Sequence, residues 1–316
     1  MDFTVSVIIP TYNVEDYIEK TIASVLIQPE VTEIIVVDDG SKDNTLLILK
    51  QLKKQHHIIE IFQHENEVNK GRSATRNLGI LNATSNYIAF LDADDFYLCN
   101  RFTKDRMILM DQAIDGVYNA VGFSFYKSIK DETSKHFKIS TLSKKIESKN
   151  LFDAIVSSKY GYLHLNGLTL KKTNFDVIGL FNESLIVAED SDIIFKLALK
   201  CKLEPSIIEI PVAKRGVHDN NVFTDDDLYK KYNVKLYESL LNWSGKHQIS
   251  YKNIDTLLNW LWFFKFRETN SLKAYLFFWV YIIVNNPKLF FTKLSFKYFP
   301  LIRLRQKFFP FLFKNH

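Results

Sequence analysis

Three carboxylates lie together directly after one of the most apolar segments of the chain. In IAFLDADDFY (88–97), Asp92, Asp94 and Asp95 follow the apolar run that ends at Leu91. Neighbouring carboxylates repel one another, and sharing a cation relieves this repulsion. Oxygen ligands suit Mg²⁺ or Mn²⁺, which bind one or two carboxylates together with the phosphates of a substrate. The same residues are also consistent with an acidic turn that caps the following helix.

Three other segments carry side chains suited to a nucleotide. Tyr12, in VSVIIPTYN, can stack on a base or pack on the surface as a turn residue. Asp39, in IIVVDDGSKDNT, can accept a hydrogen bond from a base or ribose, or cap the next helix. Arg72 and Arg76, in NKGRSATRNLGI, are expected at the start of a helix, where charge and the helix dipole both favour a phosphate. Each signal alone is weak, and their order on one scaffold is the informative feature.

Short apolar runs that alternate with helical patterns must position these residues. The runs cover 5–9, 34–37, 58–62 and 87–91. Strands that alternate with helices predict βαβ units, and therefore an α/β fold whose mostly parallel sheet is flanked by helices. In such sheets ligands bind at the carboxyl ends of the strands, and the polar clusters of this chain follow those ends.

The remaining elements follow from apolar spacing. A first helix is predicted around Ile18 and Ile22, with Asn13 as its cap. Later elements are expected as strands or a hairpin within 116–140, a helix over 148–158, a strand near 164–170, a helix over 189–201, and strands over 207–210 and 212–217. From about residue 225 the pattern is helical. We therefore predict a domain of residues 1–222 and a helical C-terminal region of residues 223–316.

Composition excludes several classes of protein. The two cysteines, Cys99 and Cys201, cannot form a disulfide framework and lack metal-ligand spacing, which favours a reducing compartment. The start, MDFTVSVIIP, shows no secretory signal. The longest apolar run, 274–284, has 11 residues, whereas a bilayer span needs roughly 20. We expect a cytoplasmic protein, with the inner face of the cell membrane as a further location.

In these segments the sequence resembles the family 2 nucleotide-sugar glycosyltransferases of GT-A (Rossmann-like) fold, of the kind that builds bacterial cell-envelope polysaccharides. The segments PTYN, VVDDGSKDNT, GRSATRNLGI and LDADD match the family pattern in order and spacing. The match continues into FDVIGLFNESLIVAEDSDIIFKLALK, which resembles the acceptor-side signature, and loosely into KRGVHDNN. The resemblance covers residues 4 to about 220.

The resemblance implies roles for the matching positions. Tyr12 and Asp39 would hold the nucleobase, with Pro10 and Thr11 shaping its pocket. Arg76 would approach the diphosphate, and Asp92 would contact the ribose or sugar. Asp94 would bind the metal (Mn²⁺ or Mg²⁺), with Asp95 as a substitute ligand and His218 near the metal or diphosphate. In the Glu189–Asp190 pair, Asp190 would be the general base and Glu189 would belong to the nucleotide-sugar site.

The reaction implied is inverting transfer of one sugar from a nucleotide diphosphate, with UDP favoured by family habit. The acceptor would be a hydroxyl of a cell-envelope glycan or a lipid-linked molecule. Gly167 stands where relatives often have lysine, and no Gln-x-x-Arg-Trp motif occurs, so acceptor identity cannot be transferred and single-residue transfer is favoured over processive synthesis. Two alternatives stay open: a sugar-1-phosphate nucleotidyltransferase, and a non-catalytic sugar-nucleotide-binding or scaffolding protein.

The basic charge of the chain is concentrated in its tail. Residues 271–316 contain eight Lys or Arg, no Asp or Glu, and fourteen aromatic residues, so the rest of the chain has a net charge of −3. Aromatic and basic residues on short helices predict a helix in the plane of a membrane surface. The alternative is a helical pair that packs on the catalytic domain or on a second subunit in a homo-oligomer. No recognisable nucleic-acid-binding module accompanies the tail, so nucleic acid is not expected as a partner.

Overall fold

The computed structural model describes residues 2–126, 141–218, 226–266 and 271–309. The chain divides into two compact units, Met1–Asp225 and Asp226–His316. Residues 127–140, where part of the expected hairpin falls, and the predicted boundary at residue 222 lie outside the described residues.

Ten strands form two sheets among the residues described in the first unit. They are β1 (Val5–Thr11), β2 (Val31–Asp38), β3 (Ile59–Gln63), β4 (Tyr87–Phe90), β5 (Phe96–Tyr97), β6 (Gly116–Tyr118), β7 (Ala120–Phe125), β8 (Leu168–Lys171), β9 (Leu203–Pro205) and β10 (Pro211–Val217). The larger sheet has the order β3-β2-β1-β4-β8-β6-β9, and the smaller has the order β5-β10-β7. In the larger sheet only β8 runs antiparallel to its neighbours, so the predicted mostly parallel α/β sheet is confirmed.

In the described part of the first unit, seven α-helices connect or flank these strands. They are α1 (Ile18–Leu26), α2 (Thr45–Gln55), α3 (Arg72–Asn82), α4 (Thr103–Leu109), α5 (Ser148–Val156), α6 (Asn174–Ile178) and α7 (Glu189–Lys200). A short 3₁₀ turn, Leu165–Gly167, leads into β8. The predicted helices around Ile18, over 148–158 and over 189–201 are confirmed.

The central strand β1 is apolar on both faces because both faces are covered. Val7 and Ile9 belong to the same core cluster as Ile18 and Ile22 of α1. Ile8 points to the other face, against Gly79 of α3. A strand buried on both sides needs a continuous apolar run rather than alternation, and residues 7–10 (VIIP) meet this requirement.

Two local predictions were wrong. Asn13 does not cap α1, whose N-cap is Tyr17; Asn13 instead has a left-handed backbone, and its side-chain oxygen accepts a hydrogen bond from the Lys42 backbone N–H. The segment 207–210 is not a strand, because β9 ends at Pro205. Within 116–140 the sequence predicts strands or a hairpin, and the described residues form the strands β6 and β7, which belong to different sheets and are not a hairpin.

The second unit is helical in its described part, as predicted. Its α-helices are α8 (Asp226–Lys246), α9 (Tyr251–Lys265), α10 (Leu272–Asn285), α11 (Lys293–Tyr298), α12 (Pro300–Arg303) and α13 (Arg305–Phe308). Its buried core includes Leu240 of α8, Leu257 and Leu261 of α9, and Phe278 of α10. Among the described helices, none combines the length and the apolar content needed to cross a membrane.

The contact between α3 and β1 depends on Gly79. A Cβ atom at this position would lie 2.5 Å from Cγ2 of Ile8, a buried β-branched side chain with little freedom to move. We predict that Gly79→Ala lowers the free energy of unfolding by about 1 to 3 kcal/mol, because overpacking outweighs the gain in helix propensity. Urea unfolding followed by circular dichroism measures the change.

Ile8→Ala supplies the control, since it removes the atoms that the new methyl group would meet. The cost of Gly79→Ala should be smaller in the Ile8→Ala background than in the wild type. Equal costs in the two backgrounds would contradict this account of the contact.

Candidate active site at the carboxyl edge of the central sheet

The parallel strands β1, β2 and β4 bring the predicted polar turns to one edge of the sheet. Thr11, the last residue of β1, is in register with Asp38, the last residue of β2. The strand β4 pairs with β1 on its other side and is followed by the turn that carries Asp92. The clustering expected from the sequence is therefore present in the fold.

Tyr12 and Asp39 have different surroundings at this edge. The Tyr12 side chain is exposed at 48%, so its ring is accessible for stacking. Asp39 is buried, and its two carboxylate oxygens accept hydrogen bonds from the backbone N–H groups of Lys70 and Gly71 at 2.7 and 2.9 Å. The backbone N–H of Asp39 donates to the Thr11 carbonyl at 2.8 Å. Asp39 thus joins the ends of β1 and β2 to the loop before α3; it does not cap α2, whose N-cap is Asn44.

Pro10 and Thr11 are the last two residues of β1, directly before Tyr12. Thr11 is buried, and its hydroxyl donates to the carbonyl of Val37 at 3.3 Å. Pro10 is partly buried and lies in register with Val37 on β2. Both residues therefore lie at the sheet edge where the family resemblance expects the base pocket.

Arg76 joins two carboxylates that come from different parts of the chain. It lies on α3, is 2% exposed, and donates one hydrogen bond to Asp92 Oδ1 at 2.7 Å and one to Glu189 Oε1 at 2.9 Å. Arg72, one turn earlier, places its Nε 3.4 Å from the same Glu189 oxygen. The guanidinium of Arg76 is thus engaged by protein carboxylates, and its predicted contact with a diphosphate stays a prediction.

The two carboxylates bound by Arg76 respond differently to their surroundings. Burial opposes ionisation of Asp92, but the charge and hydrogen bond of Arg76, together with His164 and Arg72, hold the pKa of Asp92 below its ordinary value. For Glu189, burial dominates and raises the pKa despite the charges of Arg72 and Arg76. Asp92 is therefore a stable anion at the sheet edge, whereas the charge of Glu189 depends on the two arginines.

Asp94 and His218 form a carboxylate–imidazole pair. Oδ2 of Asp94 lies 2.8 Å from Nε2 of His218, the residue that follows β10. The ring of Tyr17 stacks on His218 at 5.1 Å, and the Tyr126 hydroxyl donates to the Asp94 backbone carbonyl at 2.9 Å. Burial and the nearby Asp92 charge raise the pKa of Asp94.

The donor set of this pair fits part of a divalent cation site. In the part of the chain that the structure describes, no three His, Cys, Asp or Glu side chains form a complete set of metal ligands. Mg²⁺ and Mn²⁺ commonly take only one or two protein ligands and complete their coordination with water and substrate phosphates. Asp94 and His218 would suffice for a cation that is held jointly with a bound diphosphate.

Asp95 differs from Asp94 in being fully committed to the protein. It is buried, Oδ1 accepts from the Gly216 backbone N–H at 2.7 Å, and Oδ2 accepts from the Asn166 side-chain amide. Burial and the charges of Asp94 and Asp92 raise the pKa of Asp95 well above its ordinary value. This geometry favours Asp94 over Asp95 as the metal ligand.

Asp190 lies at the start of α7, beside Glu189. The residue before this helix, Ala188, has a left-handed backbone with φ 63°. Asp190 is partly exposed, and its Oδ1 accepts from the Ser191 backbone N–H at 2.7 Å. Its neighbour Glu189 is tied to Arg76, so the candidate base is fixed relative to Asp92 through two side-chain contacts.

His164 and Asn166 belong to the site but were not selected from the sequence. His164 is buried, its Nδ1 accepts from the Asn166 backbone N–H at 3.3 Å, and burial together with Arg215 lowers the pKa of His164 to about 4. No periodicity or charge pattern marks these residues. Gly167, noted as a departure from the family, is enclosed here, because a Cβ would lie 2.5 Å from the Asn119 carbonyl oxygen.

The fold and the site together define an α/β protein that gathers several carboxylates at the carboxyl ends of its parallel strands, where ligands bind in such folds. The family description "Glycosyl transferase family 2" matches residues 6–165. This match covers half of the chain, and the chain belongs to that family. The recognition made from PTYN, VVDDGSKDNT and LDADD is confirmed.

Individual relatives extend this comparison. The chain is 38% identical over 121 residues to the putative teichuronic acid biosynthesis glycosyltransferase TuaG of Bacillus subtilis, which covers 38% of this chain and 46% of TuaG. It is 36% identical over 118 residues to the Escherichia coli UDP-Glc:alpha-D-GlcNAc-diphosphoundecaprenol beta-1,3-glucosyltransferase WfgD, covering 37% of this chain and 45% of WfgD. The chain spans about a fifth to a half of the length of the first curated relatives it matches.

A solved structure supports the fold. S. aureus TarS 1-349, in complex with UDP-GlcNAc, superposes with a TM-score of 0.62 at 17% identity, covering 90% of this chain and 82% of TarS 1-349. At this identity the likeness concerns the fold alone, and it confirms the GT-A-type architecture expected from the sequence.

Asp95 and Asp94 should behave differently when shortened. We predict that Asp95→Ala lowers the free energy of unfolding by about 2 kcal/mol or more, because two buried N–H donors lose their acceptor. Asp94→Ala, at a partly exposed position, should cost less than about 1 kcal/mol, because water replaces the carboxylate and repulsion with Asp92 falls. Guanidinium unfolding measures both variants, and equal losses would contradict a bracing role for Asp95.

His164 should make stability depend on pH in the mildly acidic range. The pKa of His164 falls from 6.5 to about 4 on folding. Between these two pH values His164 is therefore protonated in the unfolded chain and neutral in the folded chain. The wild type should therefore lose up to about 3 kcal/mol of stability from this group as the pH falls from about 6.5 to 4.

His164→Asn keeps an oxygen for the Asn166 N–H but cannot titrate, so it provides the comparison. As the pH falls from about 6.5 to 4, the difference in free energy of unfolding between the wild type and His164→Asn should become smaller. His57→Asn changes an exposed histidine and serves as the control. A constant difference between wild type and His164→Asn would contradict the depressed pKa.

Proposed function

We propose that the protein transfers a single sugar, with inversion, from a UDP-linked donor to a hydroxyl of a cell-envelope glycan or lipid-linked acceptor. The observation that carries this proposal is the Asp92–Arg76–Glu189 connection, which joins the turn after β4 to the first turn of α7, where Asp190 lies. Asp92 and the carboxylates at the start of α7 are thereby held in one site. The names of TarS, in complex with UDP-GlcNAc, and of WfgD support the choice of a UDP donor and a lipid-linked acceptor.

On the donor side, Tyr12 would stack on the base at the edge formed by Thr11 and Asp39. Asp92 would meet the ribose or sugar, because Arg76 keeps its carboxylate ionised and correctly directed. Asp94 and His218 would hold a Mn²⁺ or Mg²⁺ ion beside the diphosphate. Bound there, the cation would supply positive charge to the departing nucleotide.

On the acceptor side, Asp190 would take the proton of the attacking hydroxyl. The acceptor oxygen then forms the new bond to the anomeric carbon from the face opposite the leaving nucleoside diphosphate, so the configuration inverts. A carboxylate within hydrogen-bond reach of the hydroxyl typically contributes about 10²–10⁴-fold to such a step. Glu189 would serve as a positioning residue, since its contact with Arg76 fixes the start of α7.

The test is the release of nucleoside diphosphate from a panel of nucleotide sugars with a lipid-linked acceptor mixture. We expect Asp190→Asn to lower kcat by about 10²–10⁴-fold while donor affinity is retained. Asp176→Asn is the matched control, because Asp176 is an exposed carboxylate in the first turn of the neighbouring helix α6. Turnover of Asp190→Asn equal to that of Asp176→Asn would remove the base assignment.

The same assay separates the alternative functions. A sugar-1-phosphate nucleotidyltransferase would release pyrophosphate from a nucleoside triphosphate and a sugar 1-phosphate. A non-catalytic binding protein would bind donors without turnover in either arrangement. Either result would overturn the transferase proposal.

A further inference from the structure

One face of α10 in the second unit is apolar and exposed. Leu276, Phe277, Val280 and Val284 recur at intervals of one, three and four residues, so they lie on one side of the helix. Each is at least 44% exposed, and Val284 reaches 70%. These four residues are called the outer stripe below.

The opposite face of α10 already packs on its own unit. The buried side chains of the helix are Tyr275, Phe278 and Ile282. Tyr275 and Phe278 contact the ring of Trp262 on α9. The helix is thus anchored through one side, and the outer stripe is not the face that stabilises the unit.

Further exposed apolar side chains follow the helix in the chain. Phe291, shortly after the end of α10, is 90% exposed, and Phe290 and Phe296 are also exposed. Large exposed apolar surfaces on proteins mark binding sites for other proteins or for membranes. These exposed apolar side chains therefore indicate a surface that binds a partner or a membrane.

The charges around this surface identify the occupant. Lys273 at the start of α10, and Lys288 and Lys293 on either side of Phe290 and Phe291, have exposed side chains. Residues 271–316 contain no acidic residue. Apolar side chains among exposed cations complement a lipid surface whose headgroups are negative.

We propose that the second unit docks on an anionic lipid bilayer through the outer stripe and Phe291, with Lys273, Lys288 and Lys293 against the headgroups. The helix lies in the plane of the surface, since its 14 residues extend only about 21 Å. A second copy of the chain is the weaker occupant, because two such faces would bring like charges together. This inference goes beyond the proposed sugar transfer and does not require it.

The test is flotation of the full chain with vesicles of phosphatidylcholine alone and of phosphatidylcholine mixed with phosphatidylglycerol. We expect binding to the mixed vesicles that weakens with salt. The triple change Phe277→Ser, Val280→Ser and Val284→Ser should lower partitioning by at least about tenfold. Its control is Met107→Ser with Met110→Ser, which removes two exposed apolar side chains from the first unit.

A second pair of variants tests the charge. Each cation beside an anionic leaflet contributes roughly a fivefold factor, so Lys288→Gln with Lys293→Gln should lower partitioning roughly 25-fold. Lys50→Gln with Lys54→Gln on α2 is the matched control, since both lysines are exposed. The proposal is overturned if either variant floats as well as its control. It is also overturned if sedimentation shows a stripe-dependent dimer that binds no vesicles.

Discussion

The buried guanidinium of Arg76 is the constraint on which the site depends. A charge at 2% exposure is tolerated only if its partners are in place, and here the partners are Asp92 and Glu189. Such a buried group adds little net stability compared with an apolar core, yet removing one partner leaves an uncompensated charge. The turn after β4 and the start of α7 must therefore form together, which fixes the spacing between Asp92 and Glu189.

The other carboxylates of the edge divide into two groups by exposure and bonding. Asp39 and Asp95 are buried, and in each the two carboxylate oxygens accept hydrogen bonds from N–H groups of neighbouring segments. Asp94 and Asp190 are only partly buried, and each lies at the margin of the protein where a ligand can reach it. The first group holds the loops in position, and the second contains the two carboxylates to which the proposed mechanism assigns the cation and the substrate hydroxyl.

Local patterns in the sequence predict where these carboxylates lie, but not which of them are buried and hydrogen-bonded to the protein. The four polar turns could be placed at one sheet edge because apolar runs and parallel connections determine where strands end. The choice between Asp94 and Asp95 could not be made, because it is decided by Gly216 and Asn166, which lie 121 and 71 positions from Asp95. Likewise Arg76 meets Glu189 across 113 positions, and no spacing rule covers such a contact.

In the proposed mechanism, the charge balance of the edge would link donor binding to a cation. A sugar diphosphate brought beside Asp92 and Asp94 would add negative charge where burial and the charge of Asp92 already raise the pKa of Asp94. Arg76 is committed to Asp92 and Glu189, and His164 is neutral near pH 7 because its pKa lies at about 4. The donor and a divalent cation would therefore bind as a unit, each lowering the cost of the other, and the anionic edge would select against a donor that arrives without its cation.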